Sequence, residues 1–189
     1  NLNFLVFATF HRNLFKAILE ETVAKQKSLA KGTVERRVAD FYAAAMDSLR
    51  IESLGFDPIK SDLKKVQEIQ SKDDLLREIA RFKTQGLGSP FFGFYVGQDR
   101  KNVKKMVPQF GQGGTSLPDR DYYLKTDPRT LKIQEAFKKY IATLFELIGT
   151  PTNQAKTHAE QIFFLEKRLA TAQMARVEMR DPYKTYNKF

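Results

Sequence analysis

The chain has 189 residues, of which 42% are hydrophobic and 29% are charged. This balance predicts a folded domain, or a lobe of a larger one, and excludes an intrinsically disordered chain. The absence of cysteine excludes a disulfide-stabilised scaffold, whereas the net charge of +10 leaves nucleic-acid binding to be weighed.

The N-terminal part of the sequence predicts two amphipathic helices. Apolar residues at helical spacing indicate a first helix from about residue 13 to 30, ending near Gly32. Thr33 is the predicted N-cap of the second helix, whose apolar stripe extends from Val34 to Leu49 and stops before Gly55. We expect this stripe to belong to the core.

No membrane-spanning segment is predicted in this chain. The longest apolar stretch, Leu5 to Phe10 with its flanks, is far shorter than the roughly 20 residues that cross a bilayer. It also lacks the basic start and the small-residue cleavage site of a signal peptide. We therefore expect the signal of an exported parent protein to lie upstream of Asn1.

Two short helices are predicted next. Ser61 is the expected N-cap of the first one. Ser71 and Asp74 have the spacing of a capping box for the second, which is expected to end near Gly86.

A β-hairpin is predicted after these helices. Aromatic and β-branched residues indicate strands at about 91–97 and 104–110, joined by a polar turn. Pro108 has no N–H group to donate, so we expect the second strand to be an edge strand or to be interrupted there.

The segment Gly111 to Leu124, with the sequence GQGGTSLPDRDYYL, predicts an ordered loop and is called the glycine loop below. Its glycines permit positive φ and close approach of other backbone, and Pro118 biases Leu117 toward an extended conformation. Arg120 is expected to form charge-assisted hydrogen bonds with neighbouring carboxylates or carbonyls, and Asp119 and Asp121 are expected to form ion pairs with it. We favour a packed structural role for this loop over direct contact with a ligand.

Two long helices complete the chain. Asp127 followed by proline is a typical helix start, and this helix is expected to end at Gly149. The final helix is predicted from about Thr152 to Met179, antiparallel to its neighbour because the turn between them is short. The predicted fold class is mainly α, a multi-helix lobe with one small β-hairpin, in a single helical unit over residues 1–189.

The residues of this chain predict no catalytic or metal site. No HExxH motif is present, and His11 and His158 are the only histidines. A catalytic zinc site generally takes three protein ligands, so we assign neither a catalytic nor a metal-ligating residue. His158 is interpreted as an exposed or capping histidine.

Three sequence blocks occur in an order and spacing that point to one family. They are VADFYAAAMDSLRIESLG at residues 38–55, the glycine loop, and RVEMRDPYKTYNK at residues 176–188. They resemble, in the same order, the segments FY-x-x-C/A-M-D-x-x-x-I-x-x-x-G, G-x-x-G-LP-x-RDYY and R-x-x-x-RDP-x-x-x-YN. These segments belong to the N-terminal region of the neprilysin, endothelin-converting-enzyme and oligopeptidase O family of zinc metallopeptidases. The resemblance covers roughly residues 13–189, and residues 1–12 are atypical because they do not match the family's usual start.

The resemblance assigns a set of signature residues. We expect them to be structural, and we assign no substrate-binding residue, because no arginine falls where the family's cleft arginine is expected. The signature residues are Gly111, Gly113, Gly114, Leu117, Pro118, Arg120, Asp121, Tyr122, Tyr123, Arg180, Asp181, Pro182, Tyr186 and Asn187.

The resemblance also implies a function. The chain would be the helical, substrate-enclosing part of a zinc metalloendopeptidase that hydrolyses peptides. The family's zinc ligands lie in its C-terminal half, so we expect no cofactor and no hydrolysis in this chain alone, and zinc in the full-length protein. The implied partners are the C-terminal catalytic lobe of the same protein and oligopeptide substrates, and the implied location is extracytoplasmic, whether periplasmic, secreted or membrane-anchored.

Two other functions remain open. A stand-alone peptide-binding or scaffold domain would keep the helical lobe without the protease. A nucleic-acid-binding domain would use the positive charge, but the basic residues are spread from Arg12 to Lys188 without a dense tract. We interpret them as solvated helix faces and expect no nucleic-acid partner.

Overall fold

The computed structural model describes the backbone of residues 2–188 and the side chains of residues 9–188. The described part is mainly α-helical with one two-stranded antiparallel sheet, which confirms the predicted fold class. The chain divides into two compact units, Asn1–Pro58 and Ile59–Phe189, which are described separately. The single unit over residues 1–189 stays a prediction. None of the described helices is long and apolar enough to cross a membrane.

The first unit contains helices α1 (Leu2–Ala24), α2 (Val34–Met46) and α3 (Ser48–Leu54). The prediction for α1 is wrong at both ends, because the helix begins at residue 2 and a 3-10 turn follows its end at residue 24. The apolar run near the N-terminus has few polar residues to mark a helical period, so the pattern shows only the later turns. Thr33 Oγ1 accepts a hydrogen bond from the backbone N–H of Arg36, which confirms the predicted cap of α2.

The predicted apolar stripe of α2 is broken. Asp47 ends α2 and accepts a hydrogen bond from the backbone N–H of Arg50, so it caps α3. Ala39 is buried, but Leu49 is 85% exposed and Phe41 is 79% exposed. The prediction that this stripe lies in the core is therefore wrong for the described chain.

The second unit begins with α4 (Lys60–Gln67) and α5 (Lys72–Thr84). Ser61 does not cap α4, because a 3-10 turn leads directly into the helix one residue earlier. The capping box of Ser71 and Asp74 is confirmed, with each side chain accepting a hydrogen bond from the other's backbone N–H.

The predicted hairpin is confirmed as β1 (Phe92–Asp99) and β2 (Asn102–Gln112), and both strands are longer than expected. Pro108 lies opposite Val96 and does not interrupt β2. Two strands form the whole sheet in the described residues, so each is an edge strand and the missing N–H of proline can face away from the ladder.

Three helices follow the hairpin: α6 (Asp121–Leu124), α7 (Pro128–Leu147) and α8 (Thr152–Ala172). Asp127 accepts a hydrogen bond from the backbone N–H of Thr130, which confirms the predicted start of α7. The short helix α6 was not predicted. The prediction that the last helix reaches Met179 is wrong, because the backbone becomes extended at Gln173.

Helices α7 and α8 form the core of the second unit. The buried residues Ile141 and Ala142 of α7 pack against Ala155 and Ala159 of α8, and the partly buried Phe137, Phe145 and Ile162 surround them. Lys138 of α7 pairs with Glu160 of α8, and the later residue Phe145 contacts the earlier residue His158, so the two helices run in opposite directions. The predicted antiparallel packing is therefore confirmed. The alanines let the two backbones approach closely.

Candidate functional site

The glycine loop leaves β2 at Gln112 and passes directly over the start of β1. Gly114 has a φ of +81°, and a Cβ built on it would lie 2.9 Å from the Leu169 side chain and 2.9 Å from the Phe91 Cα and the Pro90 carbonyl oxygen. Neither the backbone angle nor the space admits a side chain here. Gly111 differs from the prediction, because it is paired within β2 and has no positive φ.

The loop then places Tyr123 in the interior of the second unit. This tyrosine is 0% exposed, and its ring stacks on Phe163 at a centroid distance of 5.7 Å and meets Phe137 edge-on at 6.4 Å. Its hydroxyl donates to Glu166 Oε2 at 2.5 Å and accepts from the backbone N–H of Leu117 at 2.7 Å. Burial raises the pKa of the Tyr123 hydroxyl well above its ordinary value, and the adjacent carboxylate adds to this effect, so the hydroxyl remains a donor.

Glu166 is the polar centre of this arrangement and was missed by the sequence analysis. Its carboxylate is buried and also accepts hydrogen bonds from Ser116 N at 3.1 Å and Ser116 Oγ at 2.7 Å. The sequence contains a pattern that could have identified it, because Glu166 lies at helical spacing from Ala159 and Ala170, which are buried on the same stripe of α8. A carboxylate within an apolar stripe requires hydrogen-bond partners from elsewhere in the fold.

Arg120 reaches the end of α8. Its Nη1 donates to the Gln173 backbone carbonyl, whereas Asp121 forms an ion pair with Lys125 at 2.8 Å. Asp119 accepts a hydrogen bond from the backbone N–H of Asp121 at 2.9 Å. Arg120 therefore bonds a carbonyl, one of the two acceptor types expected for it, whereas the expected ion pairs with Asp119 and Asp121 are replaced by other contacts of these aspartates. A backbone carbonyl at a helix C-terminus carries partial negative charge and can replace a carboxylate as acceptor.

Two glutamines tie the loop to the chain after α8, and neither was singled out from the sequence. Gln112 Oε1 accepts from Met174 N at 2.9 Å, and Gln173 Nε2 donates to Gly113 O at 2.9 Å. Between these contacts lies a cavity of about 270 Å³ whose wall includes Pro118 and Arg176. The remaining loop signature residue, Tyr122, accepts a hydrogen bond from Gln134 through its backbone carbonyl.

The C-terminal signature residues fold onto the tip of the hairpin. Tyr186 donates from its hydroxyl to Asp99 Oδ1 at 3.0 Å, and Lys101 Nζ lies 4.4 Å from the centre of its ring. Arg100 Nη1 donates to Thr185 Oγ1 at 3.0 Å. The hairpin tip is thereby bound to the segment that follows α8.

The other residues of this block shape the turn that carries Tyr186. Arg180 ends a 3-10 helix, and Asp181 Oδ1 accepts a hydrogen bond from Tyr183 N at 2.9 Å across Pro182. Asn187 Nδ2 donates to Lys184 O at 3.2 Å.

The contact between Tyr186 and Asp99 predicts a pH dependence. The backbone N–H of Lys101, and then the Tyr186 hydroxyl, hold the pKa of Asp99 below its ordinary value. A carboxylate with a lowered pKa in the folded state stabilises the fold above its unfolded pKa, and this contribution is lost as the pH falls through the folded pKa. We expect the Tyr186 ring signals in NMR spectra to move toward their unfolded positions only below about pH 4, given an ordinary aspartate pKa of about 3.9.

Two variants test this assignment. Asp99→Asn is expected to abolish the acid transition of the Tyr186 signals, whereas Asp73→Asn, on the exposed first turn of α5, leaves it unchanged. An acid transition that persists in Asp99→Asn would contradict the assignment.

His158 differs from its interpretation as an exposed or capping histidine. It is half-buried in the first half of α8, its ring meets Phe145 edge-on at 4.9 Å, and its Nδ1 is buried without a hydrogen-bond partner. His11 belongs to the first unit. Within residues whose side chains are described, no group of three or more His, Cys, Asp or Glu side chains could hold a metal ion.

Comparisons with known proteins extend the sequence resemblance. The sequence model of peptidase family M13 matches residues 6–189. The chain is 30% identical over 186 residues to human endothelin-converting enzyme 1, covering 93% of this chain and 23% of that protein. It is 28% identical over 187 residues to rat endothelin-converting enzyme-like 1, covering 90% of this chain and 23% of that protein.

A solved structure agrees with these relatives. The zinc metalloprotease ZMP1 of Mycobacterium tuberculosis, in its open state, superposes with a TM-score of 0.78 and 26% sequence identity. The alignment covers 96% of this chain and 28% of that one, and the chain spans about a quarter of the length of the curated relatives it matches. The predicted family resemblance is confirmed: the chain belongs to peptidase family M13, the neprilysin and endothelin-converting-enzyme family of metallopeptidases, and corresponds to its N-terminal region.

Proposed function

We propose that this chain is the helical, substrate-enclosing N-terminal part of a zinc metalloendopeptidase that hydrolyses oligopeptides. The observation that carries the proposal is the match of residues 6–189 to family M13, supported by a superposable segment within a zinc metalloprotease. That metalloprotease and the curated relatives are several times longer than this chain. In this proposal, residues 1–189 act as one unit of the larger protein, and the partner is its C-terminal catalytic lobe.

The described residues do not fit a zinc site. The ring of His158 contacts Phe145 and its Nδ1 is buried without a hydrogen-bond partner, and no group of three or more His, Cys, Asp or Glu side chains that could hold a metal occurs in the described part of the chain. We therefore assign zinc, and the activation of water that zinc supplies when bound, to the remainder of the protein. This chain contributes no bond-breaking step in the proposal.

The signature residues have an architectural role in this proposal. Support comes from the contacts of the glycine loop, where Gly114 permits close packing, Tyr123 fills the interior and Arg120 holds the end of α8. A wall that encloses substrates must keep its shape while peptides enter and leave, and buried hydrogen-bond networks resist deformation. By the same family resemblance we propose an extracytoplasmic location.

The proposal predicts a division of activity between this chain and its complete parent protein. Residues 1–189 alone are expected to hydrolyse no peptide in a mixed library followed by mass spectrometry and to bind no stoichiometric zinc by elemental analysis. The complete protein is expected to contain an HExxH motif after residue 189, to bind zinc and to cleave peptides. Chelator-sensitive turnover by residues 1–189 alone would contradict the first part. A complete protein without the motif would favour a stand-alone peptide-binding or scaffold domain.

A further inference from the structure

The outer edge of β1 is an unpaired strand edge. The backbone of β1 pairs with β2 and with no other strand in the part of the chain that the structure describes. We consider residues 92–97 as this edge, because the Gln98 carbonyl already accepts a hydrogen bond from Gln109 Nε2 at 3.0 Å. Alternate residues of such an edge direct their N–H and C=O groups outward, where these groups can pair with a further strand, whereas the residues between them pair with β2. The outer edge of β2 is a poorer template, because Pro108 lacks an N–H.

One face of the hairpin beside this edge is apolar and open. The alternation of side chains and the paired register place Phe94, Val96, Met106 and Phe110 on the same face, and the Phe94 and Phe110 rings lie 5.1 Å apart. Val96 is 61% exposed, Met106 62% and Phe110 70%. A strand added to β1 would continue this face, and its apolar side chains would pair with those of β1.

The tip of the hairpin is basic. Residues 100–105 contain four cations, Arg100, Lys101, Lys104 and Lys105, and no acidic residue. Arg100 and Lys101 contact the C-terminal segment, whereas Lys104 and Lys105 are exposed and have no ion-pair partner within the described residues. Charges act over a screening length of about 10 Å at 0.1 M salt, so we expect the charge of this tip to act on a strand that ends beside it.

We propose that β1 binds an extended peptide, supplied by another molecule, as a third strand of the hairpin. The peptide would pair its backbone with residues 92–97, place alternate apolar side chains beside Val96 and Phe94, and carry acidic residues toward Lys104 and Lys105. Backbone pairing supplies affinity in this mode, and the alternate side chains and charges supply selectivity. The choice of a peptide as ligand rests on the proposed function, whereas the site itself rests on the open edge.

The test titrates the 189-residue chain into a fluorescein-labelled heptapeptide of alternating valine and glutamate at low salt and follows fluorescence anisotropy. Two matched peptides accompany it. One has lysine in place of glutamate, and the other is N-methylated on the amides that would pair with β1. Both are expected to bind at least about tenfold more weakly, because one reverses the charge complementarity and the other removes the backbone donors. Equal binding of the N-methylated peptide, or no binding of the acidic peptide, would overturn the proposal.

Protein variants locate the site. Both variants are measured at 0.15 M salt. The double variant Lys104→Glu/Lys105→Glu is expected to weaken binding of the acidic peptide by about tenfold. The control Lys64→Glu/Lys65→Glu makes the same change of charge on α4 and is expected to change binding by less than about twofold. Equal losses in the two variants would overturn the location.

The last measurement repeats the peptide titration with the complete parent protein. Binding to residues 1–189 but not to the complete protein would assign the edge to a strand of the same polypeptide and overturn the proposal of a separate peptide. The proposed function is judged separately, by the zinc content and the peptide hydrolysis of the complete protein. The peptide site at β1 and the proposed function can therefore fail independently of each other.

Discussion

A Gly114→Ala substitution is expected to lower the free energy of unfolding of this chain by about 3 kcal/mol. About 1 kcal/mol arises because alanine disfavours the left-handed backbone at φ +81°. The larger share, about 2 kcal/mol, arises because the new methyl group would lie 2.9 Å from Phe91 Cα and the Pro90 carbonyl oxygen, and the backbone must move to relieve the overlap. Urea unfolding followed by far-UV circular dichroism measures the change.

Two other glycines separate these contributions. Gly149 also has a positive φ, +92°, but nothing lies within 4 Å of the position that a new methyl group would take. Gly149→Ala is therefore expected to lower the free energy of unfolding by only about 1 kcal/mol. Gly111 has neither a positive φ nor a close neighbour, so Gly111→Ala is expected to change the free energy of unfolding of the chain by less than about 0.5 kcal/mol. Equal losses for Gly114→Ala and Gly149→Ala would show that the close packing of the glycine loop contributes nothing.

A Tyr123→Ala substitution is expected to lower the free energy of unfolding by about 4 kcal/mol. Removal of a fully buried aromatic ring between Phe137 and Phe163 leaves a cavity, and such truncations typically lose about 3–5 kcal/mol. Tyr123→Phe keeps the ring but leaves Glu166 and the Leu117 N–H without this partner, so a smaller loss of about 1–2 kcal/mol is expected. Urea unfolding again provides the measurement.

The matched control is Tyr183→Ala, because Tyr183 is 82% exposed and is expected to change stability by less than about 0.5 kcal/mol. A double-mutant cycle of Tyr123→Phe with Glu166→Gln tests the hydrogen bond itself, since contacting residues show coupling of about 0.5–3 kcal/mol. Additive losses in that cycle would contradict an energetic link between the tyrosine and the buried carboxylate.

These two variants also bear on the proposed function. Gly114 and Tyr123 join the hairpin, the glycine loop and α8, so under the proposed function their loss should loosen the wall that encloses the substrate. In the complete protein we expect reduced peptide hydrolysis to parallel reduced stability, with no change in zinc content. Under the proposed function, the signature residues act only through the shape of the lobe.

The sequence predicted the elements whose signals are local. The N-cap of Thr33, the capping box of Ser71 and Asp74 and the start of α7 at Asp127 are all confirmed, because a cap requires only residues within one turn. The hairpin and the antiparallel helix pair follow from short connections. The sequence resemblance also predicted the family, because its motifs are specific in residue type and order.

Only the tertiary structure decided what those residues contact. The last helix stops at Ala172 although helix-forming residues continue, because Gln112 accepts a hydrogen bond from Met174 N and Gln173 donates one to Gly113 O, which holds the following chain against the loop. Arg120 selects a helix-end carbonyl over its neighbouring aspartates, and Glu166 is buried through donors some 40 to 50 positions away in the sequence. Periodicity and caps act within a few residues, whereas the partners of buried polar groups are set by which distant segments the packing brings together.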